Sequence, residues 1–410
     1  MNRPMEGVRV LEVAQFTFVP AAGAVLADWG ADIVKVEHPE RGDSQRGLVR
    51  IRGMQVSSEG TSWFPIMEGP NRGKRSIGLA LDSPAARPLL EELVRRSDVF
   101  LTNYLPGSRS RLKIDVDDIR AINPDIIYVR GSGYGQRGDE ADKGGYDSTA
   151  FWARGGSAAG STPPGAETVT WQPSGAYGDS LGGMTIAGGI AAALYSRKMT
   201  GEPSVVDVSL VGVGAWATGF SVNLAMLAGG PVPPEEQPKH GSTGNPLIGT
   251  YQTADGRWLM FSMLQPGTYW PEFCAVAGRE DLAADERFNT VEKIMANAGE
   301  AAELVAGIIR ARPLAEWTER FQGMKGQWSV VQEPWEVSRD PALRANGNIV
   351  PVTDADGVDR ELVASPVQFD ERPPHLTRAP QFAEHTDEIA RELGWDDDDL
   401  ISLKIEGAIT

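Results

Sequence analysis

The first forty residues alternate two kinds of pattern, and that alternation fixes the class of fold the chain can reach. Val8-Arg9-Val10-Leu11-Glu12-Val13 and Asp32-Ile33-Val34-Lys35-Val36-Glu37 are short β-rich runs. Between them, Pro20 to Gly30 carries Ala21, Ala22, Ala24, Val25, Leu26, Ala27 and Trp29, a compact helix that stops at Gly30. Strand, helix and strand within about thirty residues make a βαβ unit, whose two strands must be parallel because the helix carries the chain back to its starting edge. The alternation continues. Ser83 to Ser97 places Leu89, Leu90, Leu93 and Val94 at helical spacing. Asp98–Thr102 then reads as a strand, Val116–Ile122 as a short helix and Ile126–Val129 as a strand. The N-terminal third is α/β and doubly wound.

At 410 residues the chain exceeds the usual size of a single core, so two domains are expected. Pro231-Val232-Pro233-Pro234-Glu235-Glu236-Gln237-Pro238 is a stiff polar linker, and Glu361–Pro380 is a second Pro-rich connection. Beyond the first linker, Gly249–Met263 reads as a strand pair around the Ala254-Asp255-Gly256 turn, followed by helices through Tyr269–Val276 and Val291–Arg310. This is a smaller α+β domain. Residues 139–178 are rich in Gly, Ser, Pro and Thr, and a segment of that kind is usually a functional loop. Near the end, Thr386–Leu393 reads as an amphipathic helix, and Asp396–Asp399 as a solvated helix start.

Thirty-nine Lys and Arg against 56 Asp and Glu give a net charge of −17, which argues against a nucleic-acid partner but leaves room for a local basic pocket. Cys274 is the only cysteine, so disulfides and cysteine-based metal sites are excluded. Met1–Val8 has no apolar signal core, and no apolar run reaches the length of a membrane span. The expectation is a cytoplasmic protein with no membrane partner and no metal. His38, His240, His375 and His385 include no metal-spaced pair and no partner for a serine elbow.

Asp179 stands in Gly178-Asp179-Ser180-Leu181-Gly182-Gly183, just before an Ala- and Ile-rich helix from Leu181 to Arg197. An Asp there is ordinarily an N-cap. Glycines on both sides also admit a substrate, the free N–H groups of the first turn would hold an anion, and a carboxylate can act as a covalent nucleophile. Both readings stand on this segment alone. Gly133-Tyr134-Gly135-Gln136-Arg137-Gly138 matches a dinucleotide fingerprint, yet no helix follows, and the first βα turn, Ala14-Gln15-Phe16-Thr17, has no glycine. Glu37 alone fits a ribose-binding acid. Asn71-Arg72-Gly73-Lys74-Arg75-Ser76 is a basic cluster whose ordinary reading is a solvated loop. Asn103-Tyr104-Leu105-Pro106-Gly107, with Arg109, Arg111 and Lys113 behind, starts at a strand's carboxyl end, where open α/β sheets bind ligands.

In order and spacing these segments resemble the class III coenzyme A transferases, together with Leu26–Glu37, Tyr251-Gln252-Thr253-Ala254-Asp255-Gly256 and Glu384-His385-Thr386-Asp387. The resemblance implies a Rossmann-like large domain with a smaller α+β domain, in two chains interlocked like links. Residues 1–210 would begin the large CoA-binding domain, 211–240 link, 241–330 form the small domain, and 331–410 return to pack a helix on the large one. It implies transfer of CoA between an acyl-CoA and a free carboxylic acid, without a prosthetic group, through an anhydride and a thioester on Asp179. Tyr146 and Asp147 fall at a tyrosine–acid pair of the active site, and Gly241 and Gly244 in a loop that could donate to an oxyanion. Phe16, Thr17, His38, Lys74, Arg75, Asn103, Tyr104, Arg111, Leu112 and Gly133 fall at or near CoA-contacting positions. The racemase branch has a His-Asp step where this chain has Tyr146-Asp147, so a 2-methylacyl-CoA racemase is the weaker alternative, beside a non-catalytic acyl-CoA-binding protein.

Overall fold

The computed structural model describes residues 3–51, 53–56, 61–232 and 244–410, and the chain divides into two compact units. The larger comprises residues 1–162, 167–230 and 341–410, and the smaller residues 163–166 and 231–340. In the larger unit the expected alternation becomes β1 (Arg9–Val13), α1 (Phe18–Asp28), β2 (Asp32–Glu37), β3 (Arg75–Gly78), α2 (Arg87–Arg95), β4 (Val99–Thr102), α3 (Pro106–Leu112) and β5 (Ile127–Ser132). A long helix α4 (Tyr177–Thr200) then leads into β6 (Val205–Ser209).

The six strands form one parallel sheet in the order β3-β2-β1-β4-β5-β6. Numbered along the chain this is 3-2-1-4-5-6, the order of a Rossmann sheet, with its reversal between β1 and β4. Register sets Val10 against both Ile33 and Val99. Both faces of the sheet are covered, so its central strands are buried along most of their length even where they carry Glu12 and Lys35. Val10, Val99, Leu101, Ile127 and Val129 enter one core, beneath α1 and α4. Leu11, Val13, Phe100 and Tyr128 enter the other, with Leu89, Leu93, Ile389 and Leu403. On the first face α1 and α4 approach closely through small residues, since a Cβ on Gly183 would lie 2.6 Å from that of Ala21.

At the carboxyl ends of β1 and β2 the core is charged. Lys35 Nζ lies 3.2 Å from Glu12 and 2.8 Å from Asp43, and Lys74 Nζ lies 2.7 Å from Glu12, with all four side chains fully buried. Backbone oxygens complete the ammonium shells, Ala14 O for Lys35 and Pro20 O for Lys74, each at 2.8 Å.

In the smaller unit Ile248–Gln252 and Trp258–Ser262 pair antiparallel around the expected turn, and Trp328–Val330 adds a third strand too short for any periodicity to reveal. Tyr251, Phe261, Trp270, Phe273, Trp317 and Phe321 fill its core. Asn297 divides the expected Val291–Arg310 helix in two. Residues 139–178 contain a π-helix, Asp147–Arg154, where a loop without structure was expected. The tail closes as read, with Asp396 and Asp399 forming a capping box on Asp397–Ile405.

Removing one member of a buried ion cluster strands the others without compensation. Lys35→Met is expected to destabilise the protein by about 3–5 kcal/mol, measured by urea unfolding at neutral pH. A loss under about 1 kcal/mol would show that water replaces the ammonium, as at a surface pair.

Candidate active site

One cavity of about 520 Å³ opens at the carboxyl ends of the parallel strands. Gln15 and Phe16 follow β1, Glu37 and His38 follow β2, Asn103 and Tyr104 follow β4, and Gly131 to Gly133 end β5. The strand order reverses between β1 and β4, and an open α/β sheet leaves its crevice there. Asp179 reaches the same cavity from the first turn of α4, together with Tyr146. Of the residues expected at the site, Phe16, His38, Asn103, Tyr104, Arg111, Leu112, Gly133, Tyr146 and Asp179 all line it.

The loop after β1 is held from several sides. Asn103 accepts from Gln15 N at 3.1 Å and donates to Gln15 O at 2.7 Å. Phe16 sits at φ 63°, the left-handed region, and its N–H donates to Asp43 Oδ1 at 3.0 Å. A left-handed non-glycine residue costs energy that its surroundings must supply, and Asp43 is itself clamped by Lys35. The Phe16 ring meets the Tyr146 ring edge to face, centroids 5.7 Å apart.

Asp179 lies within the helix rather than before it, because α4 starts at Tyr177. The anion seat expected for substrate at this N-terminus is already filled. Asp147, the first residue of the π-helix, accepts from Gly178 N at 3.0 Å, and the N–H groups of Tyr177 and Asp179 also lower its pKa. Gln172 Nε2 donates to its other oxygen at 3.2 Å. A Cβ on Gly178 would lie 2.2 Å from the Phe151 ring and 2.6 Å from Asp147 Oδ1, so only glycine lets the cap close. Asp147 therefore stands behind the cavity wall as a cap for the helix. Burial raises its own pKa despite these bonds. The same burial, and then the charge of Asp147, push Asp179 up to about 7. No cation or hydrogen-bond donor among the described residues offsets either effect on Asp179.

Arg41 and Arg111 line the cavity, and among the described residues neither has an ion-pair partner. Arg46, Arg72, Arg109 and Arg130, by contrast, are all paired to carboxylates. Arg41 was not among the expected residues. The signal for it was available, since it follows β2 at the same edge that marked Asn103.

Several expectations need correction. Lys74 is buried in the ion cluster and bonded to Glu12, Asn71 and Pro20 O, so it has no N–H to offer a phosphate. Arg75 opens β3 and is bound to Asp32 and Glu392 at the amino ends of the strands, away from the crevice. Thr17 donates to Gln45 Oε1 at 2.8 Å and does not line the cavity. Glu37 lines it, but its carboxylate is taken by Arg46, Ser76 Oγ and Asp43 N, leaving none for a ribose. Gly241 lies outside the described residues, and Gly244 belongs to the smaller unit.

A sequence profile for CoA-transferase family III matches residues 5–386. The chain belongs to that family. It is a class III CoA-transferase with an α/β fold built on a parallel sheet. It is 30% identical to the cinnamoyl-CoA:phenyllactate CoA-transferase of Clostridium sporogenes, over 97% of this chain and 95% of that one. It is 30% identical to the succinyl-CoA–D-citramalate CoA-transferase of Chloroflexus aurantiacus, over 99% and 98%. A crystal structure of a CaiB/BaiF family protein from Brucella suis superposes with a TM-score of 0.80 at 25% identity, covering 96% of this chain and all of the other.

The raised pKa of Asp179 carries a sign that stability can report. Between about pH 4 and 7 the unfolded chain ionises this carboxyl while the folded state keeps its proton, so the group's contribution falls as pH rises. Asp179→Asn is therefore expected to raise the melting temperature, with a gain that grows from pH 4 to pH 7.5 and vanishes at lower pH. A gain independent of pH would place the Asp179 carboxyl in water.

Proposed function

We propose that the protein transfers CoA from an acyl-CoA to a free carboxylic acid through covalent intermediates on Asp179. The supporting observation is a poorly solvated carboxylate, without donors, in the same cavity as two unpaired arginines. A carboxylate of raised pKa that water and hydrogen bonds do not stabilise is a stronger nucleophile once ionised. Asp179 attacks the thioester carbonyl and expels CoA thiolate, leaving a mixed anhydride. The thiolate attacks the aspartyl carbonyl, releasing the donor acid and forming an aspartyl-CoA thioester. The acceptor carboxylate attacks that thioester and expels the thiolate again. The thiolate then takes the acceptor acyl group and frees Asp179. One thioester is present at the start and one at the end, so no ATP is required.

In this reading Arg41, Arg111 and His38 face the nucleotide and phosphates of CoA, and Leu112, Tyr104 and Gly133 shape the wall beside them. Asp147 acts as a positioning residue that fixes the start of α4. We also propose that the chain works in the cytoplasm as an interlocked homodimer. Two helices in sequence, Leu210–Ala217 and Gly219–Ala228, support the dimer, since they leave Trp216, Phe220 and Leu227 86%, 86% and 84% exposed. An apolar surface of that kind is ordinarily covered by a partner chain. No single described helix is long and apolar enough to cross a membrane.

Incubation with an acyl-CoA and hydroxylamine is expected to convert Asp179 to a hydroxamate, seen by peptide mass spectrometry, and Asp179→Ala is expected to abolish exchange of labelled acid. Turnover in that variant above about a tenth of wild type would move the nucleophile elsewhere. Arg111→Ala should raise the CoA dissociation constant at least about tenfold, because a charge-assisted contact contributes about 1.5–3 kcal/mol. Calorimetry at fixed salt reads this, and an unchanged constant would return Arg111 to solvent.

A further inference from the structure

We propose that Phe151 is a positioning residue for Asp179, and that the backbone contact of Gly155 with Gly214 is the joint that sets it. The proposal rests on the reading of Asp179 as the acylated residue and adds the support that keeps its helix in place. Phe151 stands within the π-helix and is 1% exposed. Its ring meets the start of α4 and its carbonyl meets the helix Leu210–Ala217, so one residue spans both.

These contacts leave no room for side chains. A Cβ on Gly178, one residue before Asp179, would lie 2.2 Å from the Phe151 ring. A Cβ on Gly155 would lie 2.3 Å from Phe151 O and 2.6 Å from Gly214 Cα, and one on Gly214 would lie 2.7 Å from Phe151 O. The neighbours are backbone atoms or a buried ring, which cannot turn aside as the end of a flexible side chain can. Thr218 Oγ1 closes the joint, 2.8 Å from Gly155 O and 3.1 Å from Gly214 O. The π-helix itself begins with Asp147, which accepts from Gly178 N at 3.0 Å. Ring and cap thus come from one short element and meet at one glycine, while the far end of that element is pinned at Gly214.

Which side yields at a crowded joint follows from how each is held. The helix Leu210–Ala217 is capped by Ser209, its Val211 N donates to Gly133 O at 3.0 Å, and Leu210 and Val213 enter the core. The π-helix is the rarer winding, and rewinding it displaces whatever it carries. A methyl added at Gly214 therefore moves Phe151 and Asp147 against the start of α4. Misplacing a reacting group by about 1 Å costs up to about 100-fold in rate. CoA affinity, which the reading above gives to Arg41, Arg111 and His38, does not follow.

Gly214→Ala tests the joint at a residue that does not line the cavity. It is expected to lower kcat for exchange of labelled acid at least about tenfold, with the CoA dissociation constant within about twofold of wild type. Phe151→Leu keeps the carbonyl and withdraws the ring from Gly178, and it should show the same split. Gly212→Ala, on the same helix, is the control and should leave both quantities unchanged, since its Cβ meets only the Ser209 hydroxyl within 4 Å. Amide hydrogen exchange reads the geometry without turnover. In Gly214→Ala the N–H groups of Gly178 and Asp179 should exchange at least about tenfold faster, because the cap by Asp147 is drawn away. Should Gly214→Ala fail to fold, Thr218→Val removes the closing hydroxyl and should give the same split at about threefold, restored by Thr218→Ser. Unaltered kcat or unaltered exchange at the start of α4 in the folded variants would overturn the proposal, as would equal losses in turnover and CoA affinity, or an equal loss in Gly212→Ala. Faster exchange in Gly214→Ala, with no CoA transfer by the wild type, would sustain the joint and sink the covalent reading.

Discussion

The buried cluster of Glu12, Lys35, Asp43 and Lys74 is the constraint on which the rest of the site hangs. It joins β1, β2 and the segment entering β3, and it lies where an apolar residue would give more stability per atom. Its effect is directional. Asp43 receives charge from Lys35 on one oxygen and delivers the other to Phe16 N and Gln45 N. The first βα turn thereby takes a left-handed step without glycine. In dinucleotide-binding sheets glycines at this turn let a pyrophosphate approach; here a phenyl ring is placed over the crevice.

The second fixed point is the start of α4. Helix N-termini are ready anion sites, and the sequence led naturally to the idea that substrate would use this one. The chain has used it internally. Asp147 reaches it from a π-helix, an arrangement that leaves a wider turn than an α-helix and often marks a functional position. The helix that carries Asp179 is thus tied to the π-helix by a carboxylate, by a glycine with no room for Cβ and by the Phe151 and Tyr177 rings. Asp179 receives none of those donors.

The parallel sheet was legible because its strands are short apolar runs punctuated by helices of clear period. Asp179, His38 and Asn103 were legible as cavity-lining residues because each follows a strand or lies at the start of a helix, and those are the places where a doubly wound sheet exposes side chains to a ligand. Lys74 and Arg75 were misread for the same reason inverted. Lys74 precedes β3 and Arg75 opens it, and nothing in Arg72-Gly73-Lys74-Arg75 reveals that one would be drawn into the core by Glu12, sixty-two positions away, and the other bound to Asp32 and Glu392. Long-range ion pairing leaves no local periodicity. Arg41 was missed although its position obeyed the rule applied to Asn103. The role of Asp147 could not be read locally either, because a cap contributed thirty-one residues from the N–H it accepts has no sequence signature.

The cap by Asp147 has a consequence for the course of a reaction at its neighbour. While Asp179 is a free carboxyl in a poorly hydrated corner, the charge of Asp147 adds to burial in opposing its ionisation. In the proposed cycle Asp179 carries no charge once it is an anhydride or a thioester, and the repulsion ceases. The corner is then electrostatically most at ease in the middle of the catalytic cycle rather than at its ends. Release of the last acyl group in that cycle would restore the conflict at Asp179.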